Sequence, residues 1–411
     1  VAALHTEKVI LRQLAEQWME LATLPVMAER RRQWTALKDL HAERPMVLFE
    51  TGLLEHYVPE EELVCRNPLL RDVEKSLRWT IRHATEVGDD IVVEPFYRNY
   101  WEIEGTDFGV PITLGRVEDG QGGELGFAYQ HPIQTPKDIG RLKARTWRVD
   151  REKTQRRQER LGEIFGNILP VELHGTSGQF IGLTSELFKL IGNDNLLQWT
   201  FDAPEALHQL MAYLRDDRLA YFGWLEKEGL LGYNHTGWEL IGSGSPGYTT
   251  GLPQGDTQGS PRLKDLWVWM ESQETTMISP KMFSKFFLPY MAEICRCFGL
   301  VYYGCCEPVH DRWDAIYQAI PNIRAVSISP WCNQRAMAEK IGRKVVFSRK
   351  PKPWLISGAN PDWDALRKDA DETLSAARDC NLEFICRDVY RIDGDRTRLH
   401  RWVEMVRAQI G

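Results

Sequence analysis

Two thiols and a carboxyl follow one another at Cys305-Cys306-Glu307, directly after the apolar run Leu300-Val301-Tyr302-Tyr303 and Gly304. A thiolate is both a nucleophile and a soft metal ligand, and a carboxyl can carry a proton or complete a coordination sphere. This segment is therefore the leading candidate for a reactive site. Further cysteines gather late in the chain, at 295, 297, 332, 380 and 386. They are too sparse for a disulfide scaffold and point to a reducing compartment with metal or thiol chemistry, against the competing reading of ordinary buried thiols. Glu271 and Glu274 come just after Leu266-Trp267-Val268-Trp269-Met270, where they can face a pocket or merely enter a helix. Glu172 and His174 stand at the end of an apolar run from 168 to 174, and are candidates for proton transfer. Arg349 and Lys350 follow Lys344-Val345-Val346-Phe347 and are placed to bind a carboxylate or phosphate, or to form an exposed cationic turn. His235 and Trp238 fall in a long loop, where aromatic packing would shield a substrate from water.

The elements that must position these groups alternate. Strand-like runs at 45–50, 90–94, 168–174, 266–270, 300–303, 323–329, 344–347 and 382–386 are separated by helical patterns, among them 70–86, 204–228 and 335–341. Ser279-Pro280 predicts an N-cap and first helical residue, with Pro289 bending the helix that follows and Gly299 closing it. Arg141 to Arg160 predicts a charged, exposed helix. The cadence is that of an α/β fold, a barrel or an open parallel sheet, with active groups at the C-terminal ends of strands. Residues 1–42 predict a helical arm ahead of a barrel unit spanning 43–411. Two long insertions interrupt it, near 95–135, a long loop or small β excursion with its Gly120-Gln121-Gly122-Gly123 run, and near 232–261.

Composition excludes several classes. The apolar fraction is 43% and the charged fraction 27%, as in ordinary globular proteins. The net charge of -7 is dispersed, without the basic tract that nucleic acid or an anionic membrane would call for. No apolar run reaches about 18 residues, so no membrane span is expected. Val1-Ala2-Ala3-Leu4-His5 lacks the layout of a secretory signal, and the expected location is the cytoplasm. The 15 tryptophans fit core burial or a subunit interface, which leaves a homodimer open, better than they fit a pocket.

From Leu266 to Phe347 the chain resembles the uroporphyrinogen decarboxylase superfamily, which includes enzymes that move methyl groups between corrinoid proteins and thiols. The residues that carry the resemblance are Glu271-Ser272-Gln273-Glu274, Ile278-Ser279-Pro280-Lys281-Met282-Phe283 and Phe287-Leu288-Pro289-Tyr290, with weaker similarity to residue 45 on one side and to the C-terminus on the other. The resemblance implies a TIM-type (β/α)8 barrel. In the zinc-dependent methyltransferases of the family, the turn after the strand resembles His-x-Cys-Gly, with another cysteine near the last strand. The best match places Cys306 on the family cysteine, Gly304 on the histidine, Glu307 on the glycine and Cys386 near the late cysteine. The histidine is missing.

The resemblance implies zinc on Cys306, Cys386 and Glu307, with Cys305, Cys332 or His310 able to complete the tetrahedron, and a corrinoid supplied by a cobalamin-binding partner protein. The implied activity is methyl transfer between that corrinoid and a thiol or other small substrate, with Glu307, Glu271 and His174 as catalytic groups and His235, Trp238, Arg349 and Lys350 as substrate contacts. The absent histidine also fits a related branch that takes methyl from a methylated small molecule to reduced cobalt, using acidic residues for substrate protonation. The decarboxylase branch fits less well. Phe49-Glu50-Thr51-Gly52-Leu53-Leu54 lacks the paired arginines of its first loop, and Phe96 stands about where its aspartate belongs. A cofactor-independent decarboxylase or lyase on a small acidic substrate, and a noncatalytic scaffold for a corrinoid protein, are the alternative functions.

Overall fold

The computed structural model describes residues 2–118, 124–253 and 259–411. Eight short strands carry the architecture: β1 (Met46–Phe49), β2 (Tyr97–Tyr100), β3 (Val171–His174), β4 (Trp267–Met270), β5 (Leu300–Tyr303), β6 (Ile323–Ile328), β7 (Val346–Arg349) and β8 (Asn381–Cys386). Six of them form one parallel sheet in the order β1-β8-β7-β6-β5-β4. β2 and β3 pair in parallel, and the chain just beyond β3 reaches β4 through a bridge between Phe180 and Trp269. Helices cover the outside, giving an α/β barrel-like arrangement.

The segment 90–94 departs from the expected strand. Its backbone meets β1 through the Asp90 N–H donating to the Val47 carbonyl at 2.9 Å, but it is not part of a ladder. Its carbonyls are taken instead by side chains of the two N-terminal helices, α1 (Ala2–Ala22) and α2 (Pro25–Lys38). Trp18 Nε1 donates to Glu94, Trp34 Nε1 to Asp90 and Arg30 Nη1 to Ile91. Side-chain donors thus satisfy a buried backbone that a neighbouring strand would otherwise serve. The strand missed in this region is β2, inside the predicted insertion.

The same stretch also holds two antiparallel pairs, Glu102–Gly105 with Trp147–Asp150 and Thr113–Glu118 with Glu124–Gln130. The run Gly120-Gln121-Gly122-Gly123 lies outside the described residues. The charged helix begins later than predicted, at Arg151, because Asp150 caps it by accepting from Lys153 N at 2.8 Å. Ser279 caps the helix Pro280–Phe286 as expected. Pro289 then lies in the first turn of a second helix, Leu288–Cys295, where its missing N–H costs no bond.

Alternation along the strands sorts two cores. Val47, Phe49, Val268, Met270, Tyr303, Val326, Phe347, Phe384 and Cys386 face the helices. Met46, Leu48, Trp267, Tyr302, Ala325, Val346 and Ile385 face inward, joined by Trp34 and Leu37 of α2. The centre is filled by the chain itself: every residue from Ile241 to Thr249 is buried. A Cβ on Gly242 would lie 2.3 Å from the Tyr302 ring, so only glycine lets the backbone pass there. Ser243 and Gly244, both at positive φ, turn the segment round.

This plug is fixed by charge as well as packing. Lys38 Nζ reaches Glu383 Oε2 and Ser245 Oγ, both at 2.5 Å, and Ser245 Oγ donates to Glu383 Oε1 at 2.8 Å, with Lys38 and Glu383 wholly buried. Burial alone would raise the Glu383 carboxyl, yet Lys38 and Lys350 hold it below its ordinary pKa. No helix among the described residues is long and apolar enough to cross a membrane.

Candidate functional site

The C-terminal ends of β4 and β5 bring three carboxyls into one electrostatic cluster. β4 ends at Met270, so Glu271 leaves the strand on the inward parity of Trp267 and Trp269, and a short 3-10 turn at Gln273–Thr275 follows. β5 ends at Tyr303, and Gly304, at φ +94°, turns the chain with its N–H on Met270 O at 2.7 Å and its carbonyl accepting from Trp269 Nε1 at 3.0 Å. That turn delivers Glu307 to the start of the β4 loop. Glu307 Oε1 accepts from Ser272 N at 2.8 Å and Oε2 from Cys305 N at 2.9 Å. Glu271 Oε2 accepts from Gln273 N at 2.9 Å, while its Oε1 is buried with no hydrogen-bond partner.

The two carboxyls differ in how they are held, and this decides which keeps a proton. Burial, followed by the charges of Glu274 and Glu307, pushes Glu271 well above the usual carboxylate range. Burial also raises Glu307, against the opposing pull of backbone amides. Two such groups resist ionising together, and Glu271, with fewer donors, is pushed further toward its acid form than Glu307. Glu274 accepts from Thr184 Oγ1 at 2.7 Å and lines a cleft of ≈600 Å³, whose walls include Phe188, Met277, Cys306, Pro308 and Trp331.

Cys305 and Cys306 form the edge of this cluster, with their sulfurs 3.7 Å apart. Cys306 is exposed and Cys305 partly covered. Ser327 Oγ donates to the Cys305 carbonyl at 2.8 Å, and Arg387, paired with Glu50 and bonded to Ser243 Oγ, closes the inner side. The contact between the two sulfurs lowers the Cys306 pKa and raises that of Cys305.

The structure does not assemble the expected zinc ligands. Cys386 pairs in register with Phe49, on the helix-facing side of β8, and is 1% exposed among apolar side chains that raise its thiol pKa. Cys306 lines the cleft instead. Glu307 has both oxygens engaged by backbone amides. Cys332 is buried beside His310 Nδ1 at 3.7 Å, as a pair without a third ligand. Among the described residues no group of three or more His, Cys, Asp or Glu side chains is arranged to hold a metal ion. The residues present do not fit zinc, and the reason is strand parity.

The other predicted residues are distributed across the fold. Arg349 points outward, with its three guanidinium nitrogens bonded to Thr373 Oγ1, to the Ile328 and Ser329 carbonyls and to Asp369. Lys350 points inward, wholly buried, with Nζ donating to Ser348 Oγ at 2.7 Å, and burial pulls its pKa down to about 7. His235 is buried against Tyr233 and brought down to about 4 by burial. His174 stacks on Phe96 at 5.3 Å and bonds Glu172 Oε2 at 3.1 Å. Trp238 packs on Trp34 and Tyr248, and lines a second cleft of ≈600 Å³ with Trp18, Trp79 and Arg98. Ser272 and Gln273 are site residues that sequence reasoning passed over. Their place between Glu271 and Glu274 was the available signal.

No protein-family model matches the chain, and no curated protein sequence matches it. Among solved structures, a methyltransferase from Methanosarcina mazei is similar with a TM-score of 0.50 over 93% of this chain and 98% of that one, at 11% sequence identity. The likeness extends over nearly the whole of both chains and supports the α/β barrel-like fold.

Proposed function

We propose that the chain is an enzyme that removes a methyl group from a methylated small molecule, with the Glu271–Glu274–Glu307 cluster supplying the proton that the departing heteroatom takes up. The observation that carries this reading is the carboxyl pair: Glu271, buried with one orphaned oxygen beside Glu307, is held in its acid form near neutrality. An ether or amine is a poor leaving group, and protonation of its heteroatom as the carbon bond breaks lowers the barrier. Glu274, on the same loop, lines the cleft in which a substrate would meet the cluster. A further support is the barrel-like fold shared with a methyltransferase. The acceptor in this reading is reduced cobalt carried by a corrinoid protein, which supplies the nucleophile.

The acid-assisted branch is favoured over the thiol branch by a specific observation: the ligand set that would activate a thiol is split between two faces of the sheet. The test is a screen of O- and N-methylated compounds with a reduced corrinoid protein, following the cobalt absorption spectrum. Methyl-cobalt formation that depends on both the chain and one methylated compound is expected. Carbon dioxide release without cobalt would replace this reading with a decarboxylase, and binding of the corrinoid protein without turnover across the screen would replace it with a scaffold.

A further inference from the structure

Cys305 and Cys306 are adjacent in sequence, stand at the edge of the cleft and hold their sulfurs 3.7 Å apart. Two outcomes compete for such a pair, and distances decide between them. A disulfide needs sulfurs at about 2.05 Å and usually Cα atoms at least about 4.4 Å apart, whereas neighbours across a trans peptide are about 3.8 Å apart. Ring closure would therefore strain the chain. A soft centre bound to both sulfurs at about 2.3 Å sets them about 3.8 Å apart when tetrahedral and about 3.3–3.5 Å apart at the narrower angle of a three-coordinate pyramidal centre. The observed separation lies within a few tenths of an ångström of that bite.

We infer that Cys305 and Cys306 form a two-sulfur chelating site for a soft metalloid, and specifically for a trivalent arsenical bearing one apolar organic group. The missing third protein ligand selects this class, because the organic group supplies the third bond itself. The surroundings select the apolar substituent: Phe188, Met277, Pro308 and Trp331 wall the cleft beside Cys306, and Met277 and Trp331 are 79% and 62% exposed. In the reaction R–As(OH)2 meets the two thiols, two As–O bonds break and two As–S bonds form. Each thiol proton leaves with a hydroxide as water, and arsenic stays trivalent. Cys306, the more exposed of the two, is the first attacker and Cys305, its sulfur 3.7 Å away, the second. The remaining cysteines offer no equivalent: Cys65, Cys295, Cys332, Cys380 and Cys386 are buried, and Cys297, partly covered, turns its sulfur to the Glu293 carbonyl.

The site shares its cleft with the proposed methyl-transfer site but does not rest on that reading, and its test uses no turnover. The full chain is titrated with phenylarsine oxide and its intact mass is followed under native conditions, with peptide mapping of iodoacetamide-labelled cysteines. One equivalent is expected, retained against excess 2-mercaptoethanol, released by 2,3-dimercaptopropanol and protecting the peptide that carries both thiols. Cys305→Ser and Cys306→Ser should each lose retention against the monothiol at least tenfold, and Cys297→Ser should keep it. Release by the monothiol from the wild-type chain, retention in either single variant, protection of a different cysteine, or conversion of the pair to an internal disulfide would overturn the proposal.

Discussion

The sealed centre and the open rim of this barrel use the same residue types to opposite ends. In the centre, Glu383 is wholly buried and ionised because Lys38 and Ser245 meet its oxygens. At the rim, Glu271 is 1% exposed and pushed toward its acid form, because one oxygen meets nothing and its neighbours are also acids. Burial is equal, and the partner decides the charge state. A paired charge locks the plug to the sheet. An unpaired acid stores a proton next to a cleft. The difference teaches that burial alone does not single out a candidate functional carboxyl in this fold, whereas burial without a cation does.

The largest effect expected from breaking this contrast is at the centre. Lys38→Met leaves Glu383 with Lys350 as its remaining close cation, and removing one partner of a buried pair costs about 3–5 kcal/mol. Urea unfolding of Lys38→Met beside Lys38→Met/Glu383→Leu checks it: the double variant should recover most of the loss, and equal losses in both would show that packing and not charge holds the plug. Next in size is the rim. Glu271→Gln should slow demethylation by roughly 10²–10⁴-fold. At neutral pH it should be more stable than the wild type, which there carries the cost of keeping Glu271 protonated. Because Glu271 is raised above its unfolded value, the wild type loses stability as pH climbs above that unfolded value, and this slope should be absent in Glu271→Gln. A variant with full activity would remove Glu271 from the proton path.

How much of this was legible in the sequence depended on whether a feature was local. The late strands were legible because each is short, apolar and bounded by turn residues, as with Leu300–Tyr303 before Gly304. The acidic loop after β4 was legible for the same reason. Side-chain parity was not. Asn381–Cys386 and Val346–Arg349 are buried on both faces, so neither shows the polar alternation that would say which way Cys386, Arg349 or Lys350 points. The segment 90–94 has strand composition, and only the tertiary placement of Trp18, Arg30 and Trp34 removes it from a ladder. The glycines of 242–251 signalled a loop. Nothing local shows that such a loop fills a barrel and does not cover it.

A smaller effect sharpens the comparison at a cation. Lys350 lies in the centre without a carboxylate bonded to its amine, and its pKa falls from 10.5 to about 7. Between those values the unfolded chain binds a proton that the folded chain does not. Stability should therefore rise with pH from about 7 to 10.5 and be flat below about 7 with respect to this group. Lys350→Met should remove that slope and stabilise the fold at pH 7 by about 1–2 kcal/mol, partly offset because Glu383 loses a neighbouring charge. Thermal unfolding at pH 7 and pH 9.5 measures both. A variant that keeps the wild-type slope would place the titration elsewhere.

The smallest effect separates the two cysteines that the sequence pairs and the sheet divides. Cys386 is a helix-facing core residue packed with Phe49, Phe384 and Trp402, so Cys386→Ala removes a buried sulfur and should cost about 1 kcal/mol. Cys306 is exposed at the cleft, and Cys306→Ala should stay within about 0.5 kcal/mol of the wild type. Were both to hold one metal ion, the two losses would be equal, would not add in the double variant, and would vanish on chelation. The parity of β8 predicts the contrary: unequal losses that add, and unfolding curves that a chelator leaves unchanged. Denaturation of the three variants with and without chelator distinguishes these outcomes, and coupling between the two positions would mean that Cys386 reaches the rim after all.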